Sequence, residues 1–130
     1  MRTHHAAAFQ ANDRFEVAGI CDVDEARLDA AAAKLGVAAK STDPRQLAAS
    51  IRPDVFCFCT PPQVRAGMVA VGIESGASLI AMEKPLALTS AEGFRIRDLL
   101  QSSGVKAVVS HQHRYGAHYM KVKEAVDSSH

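Results

Sequence analysis

Apolar residues come in short, dense runs separated by polar, helix-favouring stretches. Val55-Phe56-Cys57-Phe58-Cys59 is apolar at every position, so neither face of an extended segment would meet water. Such runs belong to central strands of parallel sheets. Ser78-Leu79-Ile80-Ala81-Met82 predicts a second buried strand, Val105 to Ser110 a last one, and Phe15 to Cys21 an earlier one ending at Asp22. Between them lie helices. Asp24 to Leu35 is closed by Gly36, a helix-stop signal. Asp43-Pro44 opens the next helix, with Asp43 as N-cap and Pro44 at the first helical position, and Arg52-Pro53-Asp54 breaks it. Gln63 to Glu74 is stopped by Ser75-Gly76. Thr89 or Ser90 caps a helix that ends near Gly104, and Glu92 is placed to close a capping box from Thr89. Ala6 to Ala11 predicts a short first helix, Val37 to Ala39 a very short strand, and Tyr119 to Val126 a helical tail.

Strand and helix alternate with turns of a few residues, which predicts an α/β fold with a mostly parallel sheet, helices on both faces and right-handed crossovers. A length of 130 residues allows one domain and hardly two. Composition changes the picture mainly by exclusion. An apolar fraction of 48% with 22% charged residues is ordinary globular composition, not a disordered tail or a collagen-like repeat. A net charge of +1, aromatics at 5% and no Trp argue against nucleic-acid or membrane-surface binding. No run of 18 apolar residues occurs, and Met1-Arg2-Thr3-His4-His5 carries no signal-peptide core. Cys57 and Cys59, set in an apolar run, read as buried thiols of a reducing compartment, so the expected location is the cytoplasm.

Open α/β sheets bind ligands at the carboxyl ends of their strands, so chemistry is sought there first. Asp22 ends the first predicted strand, where a carboxylate can accept hydrogen bonds from ribose hydroxyls or simply cap the next helix. Thr60-Pro61-Pro62 leaves a strand end open to a ligand, or forms a plain strand-to-helix turn. Glu83-Lys84-Pro85 puts a charged pair at the mouth of a buried strand. A Lys held there can have its pKa lowered by burial for proton transfer; the alternative is a surface salt bridge, worth little. His111 and His113 are spaced as alternate strand residues, with His118 nearby, but no carboxylate or Cys stands at ligand spacing, so no metal site is expected. His4-His5 reads as a surface pair at a helix end, and Cys57-x-Cys59 as core packing. No Gly-x-Ser-x-Gly, Walker or His-Glu-x-x-His motif occurs, nor any Gly-x-Gly-x-x-Gly.

Taken together, these residues resemble the N-terminal domain of the Gfo/Idh/MocA oxidoreductases. The resemblance rests on the strand ending in Cys21-Asp22, on Thr60-Pro61-Pro62, on Gly76 followed by Met82-Glu83-Lys84-Pro85-Leu86-Ala87, and on His113-Arg114-Tyr115, over about residues 4 to 125. It implies a Rossmann domain for NAD or NADP over residues 1–112, with residues 113–130 opening a second, substrate-binding domain. It implies hydride transfer at a hydroxyl carbon of a sugar, polyol or related substrate, and a homo-oligomer for the longer protein. Residue by residue, Asp22 would hold the adenosine ribose, Thr60 and Pro61 would line the nucleotide cleft, and Glu83 would sit near the nicotinamide ribose. Lys84 would contact cofactor and substrate as the catalytic residue, and Arg114 would lie along the cofactor site. Asp22 would repel a 2′-phosphate, and Val23, Asp24 and Glu25 supply no cation, which favours NAD over NADP.

Three departures from the family pattern stand out. Its opening strand and glycine loop have no counterpart, since His4-His5-Ala6 matches the helix after the loop. Arg65 stands where many members have His, and the chain stops at His130. In the strand order 3-2-1-4-5-6 the first strand is central. Its neighbours, Phe15–Cys21 and Val55–Cys59, would keep unpaired ladder groups, at roughly 1–3 kcal/mol each, unless they closed on each other. An incomplete cofactor domain, inactive in isolation, is therefore expected. The rival expectation is a non-catalytic nucleotide- or partner-binding α/β module; Lys84 discriminates, because binding alone needs no Glu-Lys-Pro at a strand mouth.

Overall fold

The computed structural model describes residues 5–128. Met1 to His4, and with them one half of the His4-His5 pair, lie outside the described residues. In chain order the elements are α1 (His5–Gln10), β1 (Ile20–Cys21), α2 (Glu25–Leu35), β2 (Lys40–Ser41), α3 (Pro44–Ile51), β3 (Val55–Phe58), α4 (Arg65–Glu74), β4 (Leu79–Glu83), α5 (Ser90–Ser103), β5 (Lys106–Ser110) and α6 (Ala117–Asp127). Short 3₁₀ turns at Pro62–Val64 and Gln112–Tyr115 lead into α4 and α6.

Every strand pairing is parallel, and the sheets are flanked by helices. β1 pairs with β2, and β3-β4-β5 form a second sheet. Register in the larger sheet sets Phe58 beside Met82, Met82 beside Val109, and Glu83 beside Ser110. Its three carboxyl ends therefore lie along one edge. The core sits where α4 and α5 cover β3 and β4. Val69, Ile80, Met82 and Ile96 are almost completely buried there, with Phe58 beside them. Ile80 and Met82 alternate with half-buried Leu79, Ala81 and Glu83, the two-residue period of a strand covered more fully on one face.

Helix ends follow local chemistry. Asp24 caps α2 by accepting from the Arg27 N–H, and Asp43 caps α3 by accepting from Arg45 and Gln46. Gly36 and Gly104 close α2 and α5 in the left-handed conformation, at φ 67° and 71°. Thr89 caps α5 by accepting from the Glu92 N–H. The Glu92 carboxylate reaches the Leu88 N–H rather than that of the cap residue, so the reciprocal half of the box is displaced by one residue.

Strand extents differ most from expectation. Among the described residues β1 bonds only to β2 and β3 only to β4, so β1 and β3 do not close on each other. With a partner along one side only, and that partner two residues long, β1 shortens to Ile20–Cys21. Phe15 packs instead edge-on against Phe9, ring centroids 5.0 Å apart. The second short strand is Lys40–Ser41 rather than Val37–Ala39, because Val37 is buried and its N–H returns to the Ala32 carbonyl at the end of α2. β5 stops at Ser110, and the backbone then turns. His111 and His113 therefore do not alternate on a strand; His113 and His118 pack instead against the Tyr119 ring, centroids 5.1 and 4.2 Å away.

Candidate functional site

The polar residues singled out by sequence stand at strand carboxyl ends. Thr60 follows β3, Glu83 ends β4, and Lys84 is the next residue. The Lys84–Pro85 peptide bond is cis. Arg65, first residue of α4, joins the two loops. Its Nη2 donates to the carbonyls of Thr60 (3.3 Å) and Lys84 (3.4 Å). Arg65 is buried to 2% exposure, while Nε and Nη1 find no hydrogen-bond partner. A cation at a helix N-terminus also opposes the helix dipole. A guanidinium so placed is costly unless an anion faces it. The Thr60 hydroxyl is likewise buried without a partner.

Glu83 Oε1 lies 2.7 Å from His5 Nε2, a contact between residues 78 apart in sequence. The His5 bond holds the Glu83 carboxyl below the usual carboxylate range; the Ser110 side chain and the Lys84 N–H act in the same direction, and desolvation opposes them. His5 is therefore not a bystander at a helix end but a partner of the strand-mouth carboxylate. Lys84 is exposed, so the burial expected of its ammonium is absent.

Cys57 and Cys59 are not fully buried core thiols. Cys57 is half-buried and Cys59, one residue past the β3 ladder, is exposed. Each acts on the other's titration as a hydrogen-bond partner. The Cys59 thiol is lowered to about 6, first by that bond and then by the charges of His5 and Arg65, against burial and Glu83. Cys57 is pushed up by the same bond, by burial and by the charges of Cys59 and Glu83. The directions fit a Cys57 S–H donating to a Cys59 thiolate. Cys21, exposed at the end of β1, is raised by desolvation and by Asp22 and Asp43.

Asp22 follows β1, on the other sheet, and its Oδ1 accepts from the Asp24 N–H at 2.9 Å. That bond sets up the entry to α2, whose cap is Asp24 and not Asp22. Arg114 is exposed on the turn after β5, and its N–H donates to the His111 carbonyl. The structure thus brings Thr60, Arg65, Glu83, Lys84, His5 and the two cysteines to one edge, while Asp22 and Arg114 make local contacts. Among the described residues no three His, Cys, Asp or Glu side chains gather as a metal site. No helix is long and apolar enough to cross a membrane.

Parallel strands flanked by helices, with polar groups at their carboxyl ends, define a Rossmann-type α/β unit. The chain belongs to the Gfo/Idh/MocA oxidoreductases: residues 1–111 match the family described as an oxidoreductase family with an NAD-binding Rossmann fold. It is 25% identical to D-glucoside 3-dehydrogenase of Escherichia coli K12, over 94% of this chain and 34% of that one. It is 30% identical to inositol 2-dehydrogenase of Salmonella typhimurium, over 87% of this chain and 34% of the relative. Among solved structures, the WlbA dehydrogenase of Bordetella pertussis, crystallised with NADH and UDP-GlcNAcA, superposes with a TM-score of 0.87 at 26% identity, over 95% of this chain and 36% of that one. The chain spans about a third of the length of the curated relatives it matches.

Proposed function

We propose that this chain is the dinucleotide-binding part of an NAD-dependent dehydrogenase acting at a hydroxyl carbon of a sugar, polyol or related substrate. The observation that carries the reading is the strand mouth itself: Thr60, Glu83 and Lys84 at the carboxyl ends of adjacent parallel strands in a member of this family. The residues present suit a dinucleotide. The buried Thr60 hydroxyl lacks a partner, Lys84 is exposed at the mouth, and Asp22 places beyond β1 a carboxylate that would repel a 2′-phosphate, while the nearby Arg27 is paired with Asp24. When bound, the nicotinamide supplies the acceptor for a hydride. The relatives named as inositol and glucoside dehydrogenases, and the neighbour crystallised with NADH and a sugar nucleotide, support the substrate class.

In this reading Asp22 receives the adenosine ribose hydroxyls, and Thr60 and Pro61 line the cleft. Glu83, kept ionised by His5, accepts from the nicotinamide ribose. The Lys84 ammonium orients the substrate hydroxyl and takes part in its proton transfer. Arg114 lies along the cofactor side, and residues 113–130 lead into a substrate domain.

Replacing Lys84 by Ala in a full-length protein carrying this domain tests the assignment. General acid–base groups contribute about 10²–10⁴-fold, so turnover should fall at least ~100-fold while dinucleotide affinity is kept. Unchanged turnover would remove Lys84 from the chemistry and favour a binding-only module.

A further inference from the structure

We propose that Arg65 is a positioning residue of the strand mouth: its guanidinium ties the Lys84 loop to the Thr60 loop and so sets where the Lys84 ammonium stands beside a bound dinucleotide. The inference rests on the reading of the mouth as a dinucleotide site.

Two hydrogen bonds carry it. Arg65 Nη2 donates to the Thr60 carbonyl at 3.3 Å and to the Lys84 carbonyl at 3.4 Å. That nitrogen has two hydrogens, one for each acceptor. Thr60 lies past the end of β3 and Lys84 just past β4, and neither has a ladder partner. Among the described residues no other side chain is hydrogen-bonded to both loops.

The effect on Lys84 follows from backbone geometry. A planar peptide leaves only two soft dihedrals per residue. On one side of Lys84, Glu83 is held by its place beside Ser110 and by His5 at 2.7 Å. On the other side, Arg65 holds the Lys84 carbonyl. With both flanking peptide units fixed, the direction of the Lys84 Cα–Cβ bond is set, and only its side-chain rotamers remain free. At the far end of the tether the same nitrogen holds Thr60, which lines the cleft in this reading.

The residue type points to the site rather than to packing. Arg65 is 2% exposed, and Nε and Nη1 have no hydrogen-bond partner, so the charge adds no bond beyond the two that Nη2 makes. A neutral donor would tie two carbonyls at lower desolvation cost. The guanidinium adds reach and a planar, rigid fork that does not deprotonate. Local costs of this kind are retained where a functional site needs them.

The experiment uses the 130-residue chain, with and without millimolar NAD, under trace acetylation by acetic anhydride read peptide by peptide. In the unmodified chain NAD should slow acetylation of Lys84 by at least ~fivefold, the shielding expected when ligand exceeds Kd several-fold. Lys106, at the opposite end of β5 from the mouth, should be unaffected. Arg65→Met should lose most of the Lys84 shielding while NAD still raises the unfolding midpoint, and Arg65→Lys, which keeps a charged donor, should retain part of it. Loss of stability alone would not separate shielding from binding in this way. A second readout needs no dinucleotide. The carbonyl carbon NMR signals of Thr60 and Lys84 should both move on Arg65→Met, and that of Phe58, inside the ladder, should not. In the unmodified chain Arg65 Nη1 and Nη2 should give separate nitrogen signals, because a guanidinium tethered through one nitrogen does not rotate freely; this measurement stands if the variants do not fold. NAD that raises the unfolding midpoint without shielding Lys84, equal shielding in the unmodified chain and Arg65→Met, unmoved carbonyl signals, or averaged Nη signals would overturn the proposal. An unmodified chain in which NAD neither shields Lys84 nor raises the midpoint would instead overturn the dinucleotide reading beneath it.

Discussion

Glu83 and His5 show how one side chain sets the state of another at the mouth. A carboxyl whose pKa is lowered by folding contributes stability above the ordinary Glu range, about pH 4.3, and loses it as pH falls through the folded value. Glu83 is such a group, with the His5 bond as the first cause. His5→Ala should therefore raise the Glu83 midpoint toward the ordinary range and flatten the acid limb of the stability profile. Carboxyl NMR titration checks this; a Glu83 midpoint unmoved by the substitution would assign the shift to Ser110 and the Lys84 N–H instead. The position of Glu83 at a strand mouth was legible in the sequence, because a charged pair directly after an apolar strand is unusual. Its partner was not, since no local pattern relates positions 78 apart. Arg65 was visible only as a departure from a family pattern. Its burial depends on how α4 lies across the Thr60 and Lys84 loops, which composition does not encode. Among the signals that were present, Ala66, Met68 and Val69 directly after Arg65 mark an apolar helix start.

At the scale of elements, α4 offers a paired test. A Cβ added at Gly72 would meet Ile80 Cδ1 at 2.9 Å, Ile80 Cγ1 at 3.0 Å and Phe56 Cδ1 at 3.0 Å, whereas one at Gly67 meets nothing within 4 Å. Gly72 therefore sets how closely α4 approaches β3 and β4, while Gly67 only costs the helix backbone entropy. Gly72→Val should destabilise by about 1–3 kcal/mol as overpacking, and Gly67→Ala should stabilise by roughly 0.5–1 kcal/mol. Both read as shifts of the urea midpoint at unchanged slope; equal effects at the two positions would contradict the packing. Helix ends proved readable because caps are local: Asp43-Pro44, Gly36 and Gly104 each act through bonds within a few residues. Strand lengths were not. The run Phe15 to Cys21 reads as a strand by composition, but only Ile20 and Cys21 find ladder partners in β2. The same non-local dependence turned His111 and His113 away from a shared strand face.

At the scale of the molecule, the two-stranded and three-stranded sheets each pair their strands in parallel, and among the described residues no strand pairing joins them. The α/β class, the order of the elements and the position of the mouth followed from strand–helix alternation and the rule of carboxyl-end sites. The central claim is that the mouth holds a dinucleotide. It is tested most directly by thermal unfolding of the chain, followed by circular dichroism, with no addition, with millimolar NAD and with millimolar NADP. A ligand bound only by the folded state stabilises it by RT ln(1 + [L]/Kd), about 2.7 kcal/mol at 100-fold excess over Kd. A cooperative transition that moves up with NAD, and less with NADP, is the predicted result. A cooperative transition indifferent to both dinucleotides would contradict the account.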